Sequence, residues 1–444
     1  MNIVKNSLVI FLLALLIRIG YVVFFVELEY LFTEDQGFYA QLATNLTNND
    51  IFGLTPERVP GYPLFIAAIY ILMGEGVWNV ILIQILLDSI SCVVIALTAQ
   101  SLFSKGFWTA GVLSAINLNM IILSASLLAD TLYLFLFILF IYSLFKYLQV
   151  ESKKWFFLLV LFVSLSALVR ASSYYLLPVL LIGLVSWRMW HRDSIFKIGK
   201  LIALYLIVIG VVLGGIHQRN YQQYESTALV SQTGNHLLGW VVPAVYQYSG
   251  QGGYQEGRQL AKEKLALALQ RDHLERLSLN PFESSAYQTN IGKNILLDFG
   301  FMNILKAWVA GSAINLIAPS VAYAPVVRTM PHPSFYEAKG AGAFEKLINY
   351  IKNTSGFLYL SILAVGTIIS ITFTMLALIG VFKMISALPP ITTTTLLLLV
   401  GYFFAITGPI IGVKYRLPIE PILTLFVTYF LNRIRLSKFS IFKN

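Results

Sequence analysis

The chain has one cysteine, Cys92, in 444 residues, so no internal disulfide can form and a cysteine-ligated metal is not expected. Charge is scarce: Asp, Glu, Lys and Arg make up 12% of the residues, about half the share of an ordinary soluble domain. There is no Gly-rich phosphate loop, no HExxH and no internal repeat, which removes the usual nucleotide-binding and zinc-hydrolase signatures. His217, His236, His273 and His332 share no ligand spacing and read as surface residues.

Apolar sequence is abundant. Hydrophobic residues form 57% of the chain, in recurring runs of about 17 to 28 residues, and about 20 suffice to cross a bilayer as a helix. The expected fold is an all-α polytopic membrane protein, a single membrane-embedded unit over 1–444. Its spans are expected near 8–26, 77–103, 107–126, 131–148, 155–170, 174–190, 198–216, 357–384, 391–408 and 416–433, about ten in all. The first lacks a small-residue cleavage site and reads as an uncleaved helix. Residues 61–74 and 302–318 are expected to be helices at the outer surface rather than crossings.

The net charge of +10 is distributed unevenly. Lys105, then Lys146, Lys153 and Lys154, then Arg188, Arg192, Lys197 and Lys200 fall in alternate connections, as do Lys383 and the tail Arg433, Arg435, Lys438 and Lys443. Positive-inside bias makes that side cytoplasmic, with the polar segments facing outward, and the expected location is a bacterial-type inner membrane. Such charge serves orientation and lipid contact, and nucleic-acid binding is not expected.

Three outward clusters carry chemistry. The first loop, about 27–76, holds Glu34 and Asp35, Tyr39 one turn later, and Arg58 before the Pro60-Gly61-Tyr62-Pro63 turn. The two acids also suit the start of a helix, and Arg58 has the fork that grips phosphate oxygens. The last outer turn places Lys414, Tyr415, Arg416 and Glu420 together. Positive charge on the outer side opposes the orientation bias, which points to an anionic ligand. Asp130 and Arg170 lie at helix ends, where an intramembrane ionisable group is a site candidate. Arg18, mid-helix, must face protein or a polar cavity.

The order of Arg18, Asp35 with Tyr39, RVPGYPLF, LLADTLYLFLF, LSALVR and KYRLPIEP resembles the GT-C membrane glycosyltransferases of the family 39 type. That type includes protein O-mannosyltransferases and the lipid A aminoarabinose transferase. Many relatives carry Glu at the place of Asp130 and Arg at that of Lys414. The resemblance implies a polyprenyl-phosphate sugar donor, an envelope acceptor (lipid, glycan or protein) and membrane lipids as partners. Asp35 is then the catalytic base of a single, inverting displacement. Arg58, Lys414 and Arg416 bind the donor phosphate, and Glu34, Tyr39, Tyr62, Asp130, Arg170, Tyr415 and Glu420 line the substrate site. Asp35 could alternatively ligate a divalent ion. The outer segment 217–356, unmatched by the resemblance, is the expected acceptor-recognition region. The rival readings are a flippase for a lipid-linked sugar and a glycan polymerase or ligase.

Overall fold

The structure, a computed structural model, describes residues 3–28, 35–48, 54–274 and 280–441, with side chains as far as 433. Glu34 lies outside the described residues. Helices account for nearly all the regular structure, and no strand occurs among the described residues.

Among the described residues six helices are long and apolar enough to cross a membrane: Ile3–Phe25, Val77–Phe103, Asp130–Val150, Ile195–Tyr224, Phe357–Ile385 and Pro390–Thr407. Two bent pairs, Phe107–Ala115 with Leu118–Ser124 and Pro281–Phe299 with Phe301–Ile317, raise the number to eight. The expected segments 155–170 and 174–190 are helices of 17 and 15 residues, short for a straight crossing. The final expected span falls in Glu420–Ile441. Multi-pass architecture is thus established, with six to eight spans by length and composition where the sequence suggested about ten.

Gly61–Met73 has 13 residues, about 20 Å at 1.5 Å per residue, and cannot span a core about 30 Å thick. Phe301–Ile317 turns by 102° from the helix before it, so this pair does not form one straight crossing either.

The expected outer segment 217–356 has small apolar cores of its own. One gathers Leu238, Val242, Ala261 and Ile295. Another places Val245, Tyr248 and Tyr254 against Ile410 and Ile411, tying the segment to the loop before Lys414. Lys346 is buried there, donating to Gln247 Oε1 at 2.7 Å with the Phe335 ring centroid 4.8 Å away.

Arg18 is fully buried mid-helix, which meets the expectation that it faces protein. Its Nε lies 2.6 Å from Asp88 Oδ2, and Nη1 donates to the carbonyls of Ala14 and Ala115 at 3.1 Å each. One guanidinium thereby joins three helices, and every contact spares a donor from hydrocarbon. Removing one partner strands a buried charge, which costs about 3–5 kcal/mol. We predict that Arg18→Met or Asp88→Leu alone lowers the detergent melting temperature sharply, and that the double variant recovers most of it. Equal losses in the singles and the double would contradict this.

Candidate active site

The polar groups singled out in the sequence meet at one end of the bundle. Helix Asp35–Thr47 starts with Asp35 in its first turn, where an acid suits the positive end of the helix. Arg58 is brought to it by the Pro-Gly-Tyr-Pro turn. A Cβ on Gly61 would stand 2.5 Å from the Leu168 carbonyl oxygen, so only glycine lets this turn press on the end of helix Lys153–Val169. Arg170 caps that same helix.

Arg58 uses its fork in two directions. Nη2 donates to Asp35 Oδ1 at 2.9 Å and Nη1 to Gln232 Oε1 at 3.1 Å. Both Asp35 and Arg58 keep about a third of their side-chain surface exposed, so this pair is reachable. Beside it, Arg170 Nη1 donates to Asp130 Oδ1 at 2.6 Å. The Arg170 guanidinium stands 5.6 Å from the Tyr133 ring and 5.8 Å from that of Tyr415, the range of cation–π attraction.

Tyr39 connects the two pairs electrostatically. Burial raises its hydroxyl above the usual tyrosine value, Arg58 pulls it back, Asp35 and Asp130 raise it and Arg170 lowers it. It therefore stays protonated, a donor set among two carboxylates and two guanidinium groups. Tyr62 is its support: the rings meet edge to face at 5.0 Å. Tyr62 is fully buried and donates to Gln84 Oε1 at 2.6 Å, so it braces the site from behind.

Lys414 and Arg416 part ways. Lys414 is half-buried, its Nζ 5.8 Å from the Tyr415 ring. Burial pulls its ammonium down, but Tyr415, Tyr323 and Asp130 outweigh that, so it is a cation at neutral pH. Arg416 is 3% exposed, with Nε 2.7 Å from Glu420 Oε1 and Nη1 donating to the Leu316 carbonyl. Asn117 donates to the other Glu420 oxygen at 3.0 Å. Arg416 and Glu420 form a buried ion pair rather than an open phosphate contact.

His236, read from the sequence as a surface residue, is half-buried. Burial lowers its imidazole below the ordinary value, and the cations Lys414, Arg58 and Arg170 lower it further. It is thus a neutral ring among three positive charges. No spacing or motif announces it; only the folding of the helix Thr233–His236 beside Gln232 brings it in.

Among the described residues no three His, Cys, Asp or Glu side chains converge, and the Asp35 and Asp130 carboxylates are each engaged by an arginine.

Residues 56–212 match the family described as dolichyl-phosphate-mannose-protein mannosyltransferase. No match is found among curated proteins. Among solved structures, the chain is similar to the oligosaccharyltransferase AglB from Archaeoglobus fulgidus, determined in complex with an inhibitory peptide and a dolichol-phosphate. The TM-score is 0.51 and the identity 11%, over 98% of this chain and 51% of that one; the chain thus spans about half the length of AglB. ArnT from Cupriavidus metallidurans gives a TM-score of 0.41 in the apo state, with 14% identity over 97% of this chain and 76% of that one. With undecaprenyl phosphate bound it gives 0.38, with 13% identity over the same shares.

The cluster makes an electrostatic prediction. Titration of His236 by NMR should give a midpoint below about 6.5, the ordinary histidine value, and Lys414→Met should move it upward. A midpoint that is ordinary and indifferent to Lys414 would place His236 away from the cations.

The all-helical membrane architecture, the match over residues 56–212 and the fold shared with AglB together identify the chain as a GT-C-fold membrane protein.

Proposed function

We propose that this protein is a membrane glycosyltransferase that moves a sugar from a polyprenyl-phosphate donor to an acceptor on the outer face of a bacterial-type inner membrane. The observation that carries the reading is the Asp35–Arg58 pair, exposed and held beside Arg170, Lys414 and Tyr39 at one end of the bundle. The fold shared with AglB, which was determined with a dolichol-phosphate, supports it. The opposite face carries the basic connections, including Arg188, whose Nε is 2.5 Å from Asp193, which fits an outward site under the positive-inside rule.

In this reading the donor phosphate approaches Arg58 and Lys414, while the buried Arg416–Glu420 pair anchors the turn Val413–Arg416 that carries Lys414. The acceptor oxygen attacks the anomeric carbon from the face opposite the phosphate. The carbon–oxygen bond to phosphate breaks, its electron pair leaves with the polyprenyl phosphate, and the acceptor proton passes to an Asp35 oxygen. Configuration at the anomeric carbon inverts, by analogy with inverting hydrolases. Fixed cations stabilise the growing phosphate charge without reorganising, and the partly dry surroundings strengthen their effect.

Arg58 is the first test. A charge-assisted contact is worth about 1.5–3 kcal/mol, so Arg58→Ala should weaken donor use by roughly 10- to 100-fold in KM or kcat/KM. Arg58→Lys should recover only part, since an ammonium lacks the planar fork that reaches Asp35 and Gln232 together. Unchanged donor kinetics in Arg58→Ala would remove the arginine from the phosphate site.

Asp35 is the second. Asp35→Asn preserves size and the contact with Arg58, so folding and donor binding should persist. Turnover should fall by about 10²–10⁴-fold, the usual contribution of a general base. Asp35→Glu should be nearly as poor, because one methylene displaces the oxygens by about an ångström. If Asp35 only starts its helix, asparagine serves as well and the variant keeps its activity, a result that excludes it as the base.

A further inference from the structure

Beyond the cluster around Asp35, the outer segment holds an open cavity of about 380 Å³. One wall is a face of helix Pro281–Phe299 presenting Phe282, Ser285, Thr289, Asn290 and Lys293 at helical spacing. The other wall is the chain from Ser226 to Thr233. The walls are fixed by close approach: a Cβ on Gly234 would stand 2.1 Å from the Ser285 carbonyl oxygen, and Gly234 N donates to Ser285 Oγ at 2.9 Å.

The lining has a definite chemistry. Four hydroxyls (Ser226, Thr233, Ser285 and Thr289), one carboxamide and one ammonium face the space, with no carboxylate among them and one aromatic ring. Hydroxyls and amides both donate and accept. Ser285 is buried and accepts from Gly234, which leaves its proton for an occupant. The volume sits at the lower end of the range of ordinary small-molecule sites, about 300–1,000 Å³.

The cavity is wired to the reacting cluster through adjacent residues. Thr233 lines it, and Gln232, the preceding residue, accepts from Arg58. Ser231 N donates to the Pro56 carbonyl at 2.9 Å, fastening the same strand of chain to the loop that carries Arg58.

We infer that this cavity is the acceptor subsite, and that it takes a hydroxyl-rich glycan segment of one or two sugar rings whose anionic substituent meets Lys293. The inference rests on the proposed sugar transfer and narrows it: the acceptor carries sugar near the hydroxyl that reacts.

Labelling tests this without a donor. Cys92 is fully buried, so Ala286→Cys in the full-length chain supplies an accessible thiol on the cavity wall while keeping every polar group. Its maleimide reaction is followed with maltose, chitobiose or a uronic-acid disaccharide, and with sorbitol as the control polyol. At about ten times a Kd near 1 mM, nine-tenths of sites are filled, so at least one disaccharide should slow labelling about tenfold. Sorbitol should not, and adding Asn290→Trp, which fills the space, should abolish the protection. Equal rates with all three disaccharides and sorbitol overturn the inference, as does protection that survives Asn290→Trp. Undecaprenyl phosphate, which has no sugar, should leave the rate unchanged; slowing by it would put the donor lipid in the cavity and overturn the assignment. The Arg58 kinetics judge the transfer reaction separately, so either idea can fail alone.

Discussion

Hydrocarbon does not tolerate an unpaired charge, and this chain uses its few charges accordingly. Arg18 and Asp88, both buried in long apolar helices, neutralise each other, and Arg18 also donates to the backbone carbonyls of Ala14 and Ala115. Replacing such a pair by apolar groups often costs nothing, whereas splitting it costs several kcal/mol. Its value is therefore in fixing which helices pack together. The pair thus locks Ile3–Phe25 against Val77–Phe103 and the helix at Ala115.

The cluster around Asp35 follows a different rule. Its arginines are paired at 2.6–2.9 Å yet only partly buried in the case of Arg58. In the proposed transfer, a pair left reachable allows exchange: an incoming phosphate takes over one arm of Arg58 while Asp35 is released toward an acceptor. Arg416 and Glu420, buried at the same mouth, are closed to such exchange and hold the frame. The same residue types thus divide into exchangeable and permanent contacts by burial alone. Tyr39 and Tyr62 repeat the division, one amid the charges and one bracing it from inside.

How much of this was written in the sequence depends on the range of the interaction. The spans, the short helix Gly61–Met73 and the Pro-Gly-Tyr-Pro turn are local patterns, read from hydropathy and turn chemistry. The Arg416–Glu420 brace is four residues apart, one helical turn, and its spacing could be read; its burial could not. Asp130 and Arg170 are forty residues apart and meet only because two helices end side by side. Gln232 and His236 come from an outer segment with no motif at all, and reach Arg58 through tertiary packing. Three expected spans, the helices of 17 and 15 residues and the one within Glu420–Ile441, are not among the six to eight: apolar length marks them in the sequence, but it does not settle whether they cross.

The central claim is that the paired charges around Asp35 receive a polyprenyl phosphate. The most direct measurement is an experimental structure of the protein with undecaprenyl phosphate added. The account predicts phosphate density within hydrogen-bonding distance of Arg58 or Lys414, with the Asp35–Arg58 contact shared or broken. Phosphate density elsewhere, with Arg58 still held by both Asp35 and Gln232, would contradict it.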